Sequence, residues 1–335
     1  MREAQFYHKL KNKVVQCELC PHFCTLKNNE IGKCRARKNI NGILYSLSYE
    51  QPVAIHIDPI EKKPFYHFLP GTKAFSIGMA GCNLRCKNCQ NYEMSQKGVE
   101  EIPVPKVNVK GVMEELLKSN CPTISYTYSE PLVSYEYLLD IAKLAKKAGI
   151  KNTIVSNGFI NPAPLKELCK YIDGTNIDLK SINDKFYKEV CEARVSPVLE
   201  TLKILKKEKV WTEITNLIIP TLNDSEKDIK ELVKWVKENL GKETVLHFTA
   251  FYPCYKLSHL SPTPIETLKK ARKIALGAGL KYVYTGNLED EDGESTFCPK
   301  CKKLLVKRRL FSIIENNLKK GKCSKCDEKI DGVWS

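Results

Sequence analysis

A chain of 335 residues, 42% hydrophobic and 28% charged, can bury a sizeable core, and no run reaches the ~20 apolar residues of a membrane span. The N-terminal stretch "MREAQFYHKLKNKVV" has no apolar signal core, so a cytoplasmic protein with no membrane partner is expected. The formal net charge of +15 points to a polyanionic partner, RNA or an acidic protein, although residues 298–335 alone carry eleven Lys/Arg against four Asp/Glu.

Fifteen cysteines in such a chain argue for metals or redox chemistry rather than disulfides, and eleven of them fall in three groups. The first group lies in an N-terminal segment, 1–72, with turn signals at "NNEIGK" and "LPGTK". There "CELCPHFCTLKNNEIGKC" places Cys17, Cys20, Cys24 and Cys34 at a spacing open to zinc, to an auxiliary iron–sulfur cluster or to no metal.

From residue 73 to 289 apolar, β-branched runs alternate with helix-period segments. The strand candidates are "AFSIGMA", "PTISYTY", "NTIVSNG", "TNIDLK", "WTEITNLIIP", "VLHFTAFYP" and "KYVYTG". Between them, 134–148 reads as a helix capped by Ser134, striped by Leu138, Ile141, Leu144, Ala145 and Ala148, and stopped at Gly149. "DSEKDIKELVKWVKENLG" reads as another, capped by Asp224 or Ser225 and ended by Gly241. Short strands alternating with helices imply right-handed βαβ units and a parallel sheet, here a partial (β/α)6 TIM-like barrel, with a doubly wound open sheet as the alternative.

The second group sits in "GCNLRCKNCQN", residues 81–91. Cys82, Cys86 and Cys89 are three thiols, whereas structural zinc takes four protein ligands. A 4Fe–4S cluster held by three cysteines keeps one iron open for a substrate or cofactor; a three-cysteine catalytic zinc is the competitor.

This loop resembles the signature of the radical S-adenosylmethionine (SAM) superfamily, and the likeness extends over about 70–290. The resemblance implies a 4Fe–4S cluster whose open iron binds SAM, reductive cleavage to a 5′-deoxyadenosyl radical, and hydrogen abstraction from a substrate. "YTYSEP" resembles the element that holds the methionine amine, which assigns Ser129 and Glu130. "NIDLKSIND" resembles the Asp-Leu-Lys element of glycyl-radical-enzyme activases, giving Asp178 to the ribose hydroxyls and Lys180 to the SAM carboxylate. "VSNG" matches a further activase element through Ser156 and Asn157, with Val155 standing where activases carry Asp. His247 in "VLHFTAF" is an expected adenosine-side contact. No catalytic side chain beyond these is assigned.

The acidic "EDEDGES" reads as a flexible linker to the third cysteine group, in 296–335. Cys298, Cys301, Cys323 and Cys326 form CxxC–x21–CxxC, a zinc-ribbon pattern, with a rubredoxin-like iron site as the alternative. The remaining Cys121, Cys169, Cys191 and Cys254 read as small core residues. The whole layout resembles the archaeal radical SAM proteins of the AmmeMemoRadiSam system.

Three functions remain open at this level. One is an activase-like enzyme acting on a protein or peptide, served by a ferredoxin- or flavodoxin-like reductant. Another is radical modification of RNA, for which the tail offers only Phe311 and Trp334 near its basic runs. The last is a metal-binding adaptor without catalysis.

Overall fold

The computed structural model describes residues 1–335. Its centre is an eight-stranded sheet: β1 (Pro52–Pro59), β2 (Lys73–Met79), β3 (Thr123–Thr127), β4 (Lys151–Ser156), β5 (Gly174–Asp178), β6 (Trp211–Ile218), β7 (Val245–Ala250) and β8 (Tyr282–Gly286). The spatial order follows the chain, β2 to β8 run parallel, and β1 pairs antiparallel with β2. The parallel strands are apolar or β-branched on both faces because helices cover the outside and side chains fill the inside; all five residues of β3 are buried.

Six helices make the crossovers: α1 (Val109–Lys118), α2 (Tyr135–Lys147), α3 (Pro162–Cys169), α4 (Ser196–Lys207), α5 (Glu226–Leu240) and α6 (Ile265–Gly277). The six β/α units expected from the sequence are present, followed by β8. With β1 and β8 left as unpaired edges, the barrel is partial. β1 comes from the N-terminal cysteine segment, so that segment supplies part of the sheet. No helix is long and apolar enough to cross a membrane.

Two helix details differ from the sequence reading. In α2 the buried stripe is Tyr135, Leu138, Leu139, Ile141, Ala142 and Ala145, whereas Leu144 and Ala148 face solvent. Ser134 does not cap this helix; its Oγ meets Ser48 Oγ at 2.7 Å, because the chain already turns helically over Pro131–Ser134 with Glu130 as the cap. Ser225 does cap α5, accepting from Asp228 N at 3.1 Å.

The residues before β1 form two small antiparallel sheets. One joins Tyr7–Lys9, Val15–Cys17 and Thr25–Leu26; the other joins Arg2–Glu3, Ile43–Ser46 and Arg37–Ile40. They lie against the barrel through Arg37, whose Nη2 donates to Glu136 Oε1 of α2 at 2.5 Å with both side chains 1% exposed. Asn161 adds two bonds, from its backbone N to Leu19 O at 3.1 Å and from Nδ2 to Glu18 O at 2.6 Å.

At the other end of the chain β9 (Thr296–Phe297), β10 (Leu304–Arg309) and β11 (Ser312–Asn316) make an antiparallel ribbon. It packs on the strand N-termini: Tyr66, Val245, Tyr282 and Tyr284 share an apolar cluster with Leu305, Val306 and Ile330. Arg308 is the rivet. Fully buried, it stands 4.3 Å from the Tyr66 ring centroid and donates to Tyr66 O at 2.7 Å and to Thr296 Oγ1 at 2.8 Å.

The acidic stretch 289–295 is not the flexible linker its composition suggested. Glu294 is buried and accepts from Asp290 N and Leu310 N. A Cβ on Gly293 would come within 1.9 Å of Thr285 Oγ1, so the chain is pinned against β8 there.

Candidate metal and cofactor site

The loop from Gly81 to Asn91 leaves the C-terminal end of β2. Gly81 has φ +92°, and a Cβ on it would fall 2.4 Å from Cys34 O; only glycine lets the loop start so close to the N-terminal module. The three loop cysteines each meet a polar neighbour. Cys82 Sγ accepts from Leu84 N at 3.3 Å and lies 3.6 Å from Asn157 Nδ2. Cys89 Sγ is 3.1 Å from Ser95 Oγ, and Cys86 has Cys191, Lys180 and Asp178 as its neighbours. Donors aimed at sulfur are what an iron–sulfur site uses to stabilise thiolate charge.

Around this loop the structure gathers most of the residues the sequence singled out. Glu130 is 1% exposed at the end of β3, and its Oε1 accepts from Ser156 Oγ at 2.8 Å and Leu132 N at 3.1 Å. Its Oε2 accepts from Asn157 N at 2.8 Å. Glu130 therefore fastens the Ser156–Asn157 corner, and Asn157 in turn touches Cys82. Burial pushes the Glu130 carboxyl up to about 7 despite these donors. The Ser129 hydroxyl donates to Met79 O, tying the end of β3 to the end of β2.

Asp178 and Lys180 stand at the end of β5, with Lys180 Nζ 2.9 Å from Asp178 Oδ2. Burial works against the Lys180 charge, but Asp178, Cys86 and Cys191 beside it prevail and hold its pKa well above the ordinary lysine value. A cation held here by Asp178 offsets thiolate charge. The backbone of this turn is clamped by two residues that sequence reasoning missed. Asn216 Nδ2 donates to Leu179 O at 2.8 Å, and Asn223 Nδ2 to Lys180 O at 2.7 Å.

Cys191 is also more than a core filler. It is fully buried in the turn after the Asp-Leu-Lys element, whose carbonyls accept from the cysteine loop: Arg85 N to Cys191 O at 3.0 Å and Lys87 N to Val190 O at 2.9 Å. The structure places its thiol beside Cys86, in the shell around the loop.

His247 does not join the group. Its Nε2 is 2.7 Å from Glu213 Oε2, and its ring packs on Tyr66 and Tyr284, beside the ribbon that covers the strand N-termini. Glu213 also accepts from Tyr66 N and His67 N at 3.0 and 2.8 Å. The adenosine-side role expected for His247 is at odds with this placement, because the periodicity of a strand gives the face of a side chain but not which end of the barrel it serves.

Among the three cysteine groups, only Cys298, Cys301, Cys323 and Cys326 bring four ligand atoms within 4.8 Å of one another. Cys298 and Cys326 sulfurs are 3.7 Å apart, and Cys301 and Cys323 sulfurs 3.6 Å apart, the spacing of four thiolates around one tetrahedral ion. The loop cysteines do not converge in that way. Three ligands set wider than that, with hydrogen-bonding neighbours on Cys82 and Cys89, fit a cluster rather than a single ion.

Comparison with known proteins agrees. Residues 76–236 match the family profile described as the radical SAM superfamily. An uncharacterized protein of Methanocaldococcus jannaschii, MJ0808, is 47% identical over 335 residues, covering 99% of this chain and 100% of that one. The pyruvate formate-lyase 1-activating enzyme of Escherichia coli K12 is 23% identical over 64% of this chain and 93% of its own length. That of Clostridium pasteurianum is 28% identical over 52% and 74%. The fold matches a radical SAM methyltransferase from Sphaerobacter thermophilus with TM-score 0.52 at 11% identity, over 66% of this chain and 68% of that one. It also matches Streptococcus suis SuiB bound to its precursor peptide SuiA, with TM-score 0.50 at 17% identity over 68% and 51%. A radical SAM domain over residues 76–236, homologous to pyruvate formate-lyase-activating enzymes, makes this chain a radical SAM enzyme of an activase-like branch.

Proposed function

We propose that this enzyme abstracts a hydrogen atom from a protein or peptide substrate. The observation that carries the reading is the joint placement of the Cys82–Cys89 loop with Asp178 and Lys180 at the barrel mouth, in a chain aligned along 64% of its length with a pyruvate formate-lyase-activating enzyme. SuiB, structurally similar, is bound to a precursor peptide, which supports a peptide as substrate. The overall layout, with cysteine groups at both ends, supports a place beside the archaeal AmmeMemoRadiSam proteins.

When bound, the 4Fe–4S cluster and SAM supply reductive cleavage of SAM and hydrogen abstraction. The chain supplies placement. Cys82, Cys86 and Cys89 would hold the cluster. Asp178 offers its carboxylate to ribose hydroxyls, and Lys180 offers its ammonium to the SAM carboxylate. Ser129 and the Glu130–Ser156–Asn157 corner shape the methionine side of the pocket. Asn216 and Asn223 hold the backbone that carries Lys180, and Asp178 holds its ammonium.

The test is anaerobic. Reconstituted protein reduced with dithionite should release 5′-deoxyadenosine from SAM, and Cys86→Ala should abolish release. Intact, reduced protein that leaves SAM uncleaved would defeat the reading. Binding of an isolated tRNA fraction that weakens steeply with salt would move the substrate from protein to RNA.

A further inference from the structure

Four cysteines of the N-terminal module surround one cavity. Cys17, Cys20, Cys24 and Cys34 all line it, together with Arg37. Their sulfurs do not close to single-ion spacing, in contrast to the four in the ribbon. A zinc ion pulls four thiolates to ~2.3 Å from its centre, closer together than these sulfurs stand.

A buried guanidinium stands beside these sulfurs. Arg37 is 1% exposed and lines the cavity; its Nη2 pairs with Glu136 Oε1, and its Nη1 lies 3.8 Å from Cys17 Sγ. The Nη1 contact sets a donor against one of the four sulfurs, the interaction that stabilises thiolate charge at an iron–sulfur site. Most of the remaining wall is apolar, from Leu19, Leu26, Leu132, Val133 and Ile160, which suits an oxygen-sensitive cluster shielded from water.

The cavity also adjoins the radical-generating loop. Asn83, the residue after Cys82, is part of its wall, and His22 Nε2 is 2.7 Å from Asn83 O. Gly81, the residue before Cys82, abuts Cys34 O.

We propose that Cys17, Cys20, Cys24 and Cys34 hold a second 4Fe–4S cluster, closed by a protein thiolate at all four irons, next to the cluster of the Cys82 loop. With no open iron, this cluster binds neither SAM nor substrate. The inference stands apart from the assigned substrate, and its test separates the two.

The deciding protein is the full chain carrying Cys82→Ala, Cys86→Ala and Cys89→Ala, reconstituted anaerobically with iron and sulfide. It should retain about four iron and four sulfide per chain, about half of the wild-type content. On reduction it should show an electron paramagnetic resonance signal that SAM leaves unmoved, since every iron already has its protein ligand. The complementary Cys20→Ala/Cys24→Ala protein should lose that half and keep a signal that SAM perturbs. The proposal is overturned if the triple variant binds no iron, if it binds about two iron and two sulfide, or if zinc rather than iron fills the site. It is equally overturned if SAM shifts the triple variant's signal. Should the double variant fail to fold, the triple variant decides alone, and its outcome does not depend on whether the wild type cleaves SAM.

Discussion

The two four-cysteine regions carry the same ligands and differ in how far the fold lets them approach. In the ribbon, two turns of a small β-structure bring four sulfurs together at 3.6–3.7 Å across the pairs. In the N-terminal module the sulfurs stay around a cavity, with Arg37 anchored by Glu136 holding one wall in place. The ribbon's sulfurs stand at the spacing a single tetrahedral ion would take. The N-terminal module is tied to the barrel by a buried ion pair, and its sulfurs stand farther apart. The same ligand set, spaced differently by packing, suits different metals.

The largest effect that would break this contrast is on the ribbon. Cys298→Ser should release about one zinc per chain and disorder residues 298–335, because small metal modules draw ~10–16 kcal/mol of apparent binding energy from a structural zinc. Limited proteolysis should then cut within the tail and spare the barrel, while metal analysis shows the zinc gone. Undiminished zinc with an uncut tail would show that the ribbon is held by its contacts with Tyr66 and Tyr284 instead. That alternative has substance, since Arg308 and the Val333 N to His67 O bond of 2.8 Å also fasten the tail.

Two buried glutamates sharpen the comparison of the barrel's ends. Glu213, beneath the ribbon, is pushed up by burial but pulled down further by the His247 hydrogen bond and charge, so its pKa lies below the usual carboxylate value. Removing it leaves His247, Tyr66 N and His67 N without their acceptor. Glu213→Ala should cost ~3–5 kcal/mol, read as a lowered denaturation midpoint. A depressed carboxylate stabilises above its unfolded pKa of 4.5 and loses that contribution as pH falls through the folded value below it. A midpoint within error of wild type would mean that water replaces the carboxylate.

Glu130, at the mouth, has donors but no cation against it, and its pKa is raised from 4.5 to about 7. The sign is reversed. Its contribution is fully present below pH 4.5 and is lost as pH rises through about 7, a swing of about 3 kcal/mol in the cluster-free protein. Glu130→Gln should flatten the fall in stability across that window. If wild type and variant show parallel pH profiles, Glu130 is already ionised throughout and the mouth is wetter than its burial indicates.

Much of this was readable in the chain and some was not, for identifiable reasons. The cysteine loop, "NIDLK" and the ribbon spacing are local patterns, and local patterns carry the metal sites and the β/α order. His247 was misplaced because a strand's alternation does not tell which end of a barrel a side chain occupies. Cys191, Asn216 and Asn223 were missed because their roles depend on contacts with residues 37 to 105 positions away along the chain. The acidic 289–295 stretch looked like a linker because composition reports solubility, and Gly293 packed on Thr285 is a tertiary fact.

The smallest predicted effect serves as the control for all the others. α5 carries neither cysteines nor barrel-mouth residues, and its start rests on Ser225 Oγ accepting from Asp228 N, with Asp228 Oδ2 accepting in return from Ser225 Oγ at 2.6 Å. Ser225→Ala removes that cap and should cost ~1 kcal/mol by denaturant titration. Asp228 and Glu226 remain in the first turn to face the helix dipole, so the loss should not spread along the helix. Iron, sulfide and zinc contents should stay at wild-type values, because the change is confined to a helix end on the outside of the barrel. A change in metal content on removing this cap would mean that global destabilisation alone empties the sites, and the larger effects predicted for Cys298 and Glu213 would then have to be read against it.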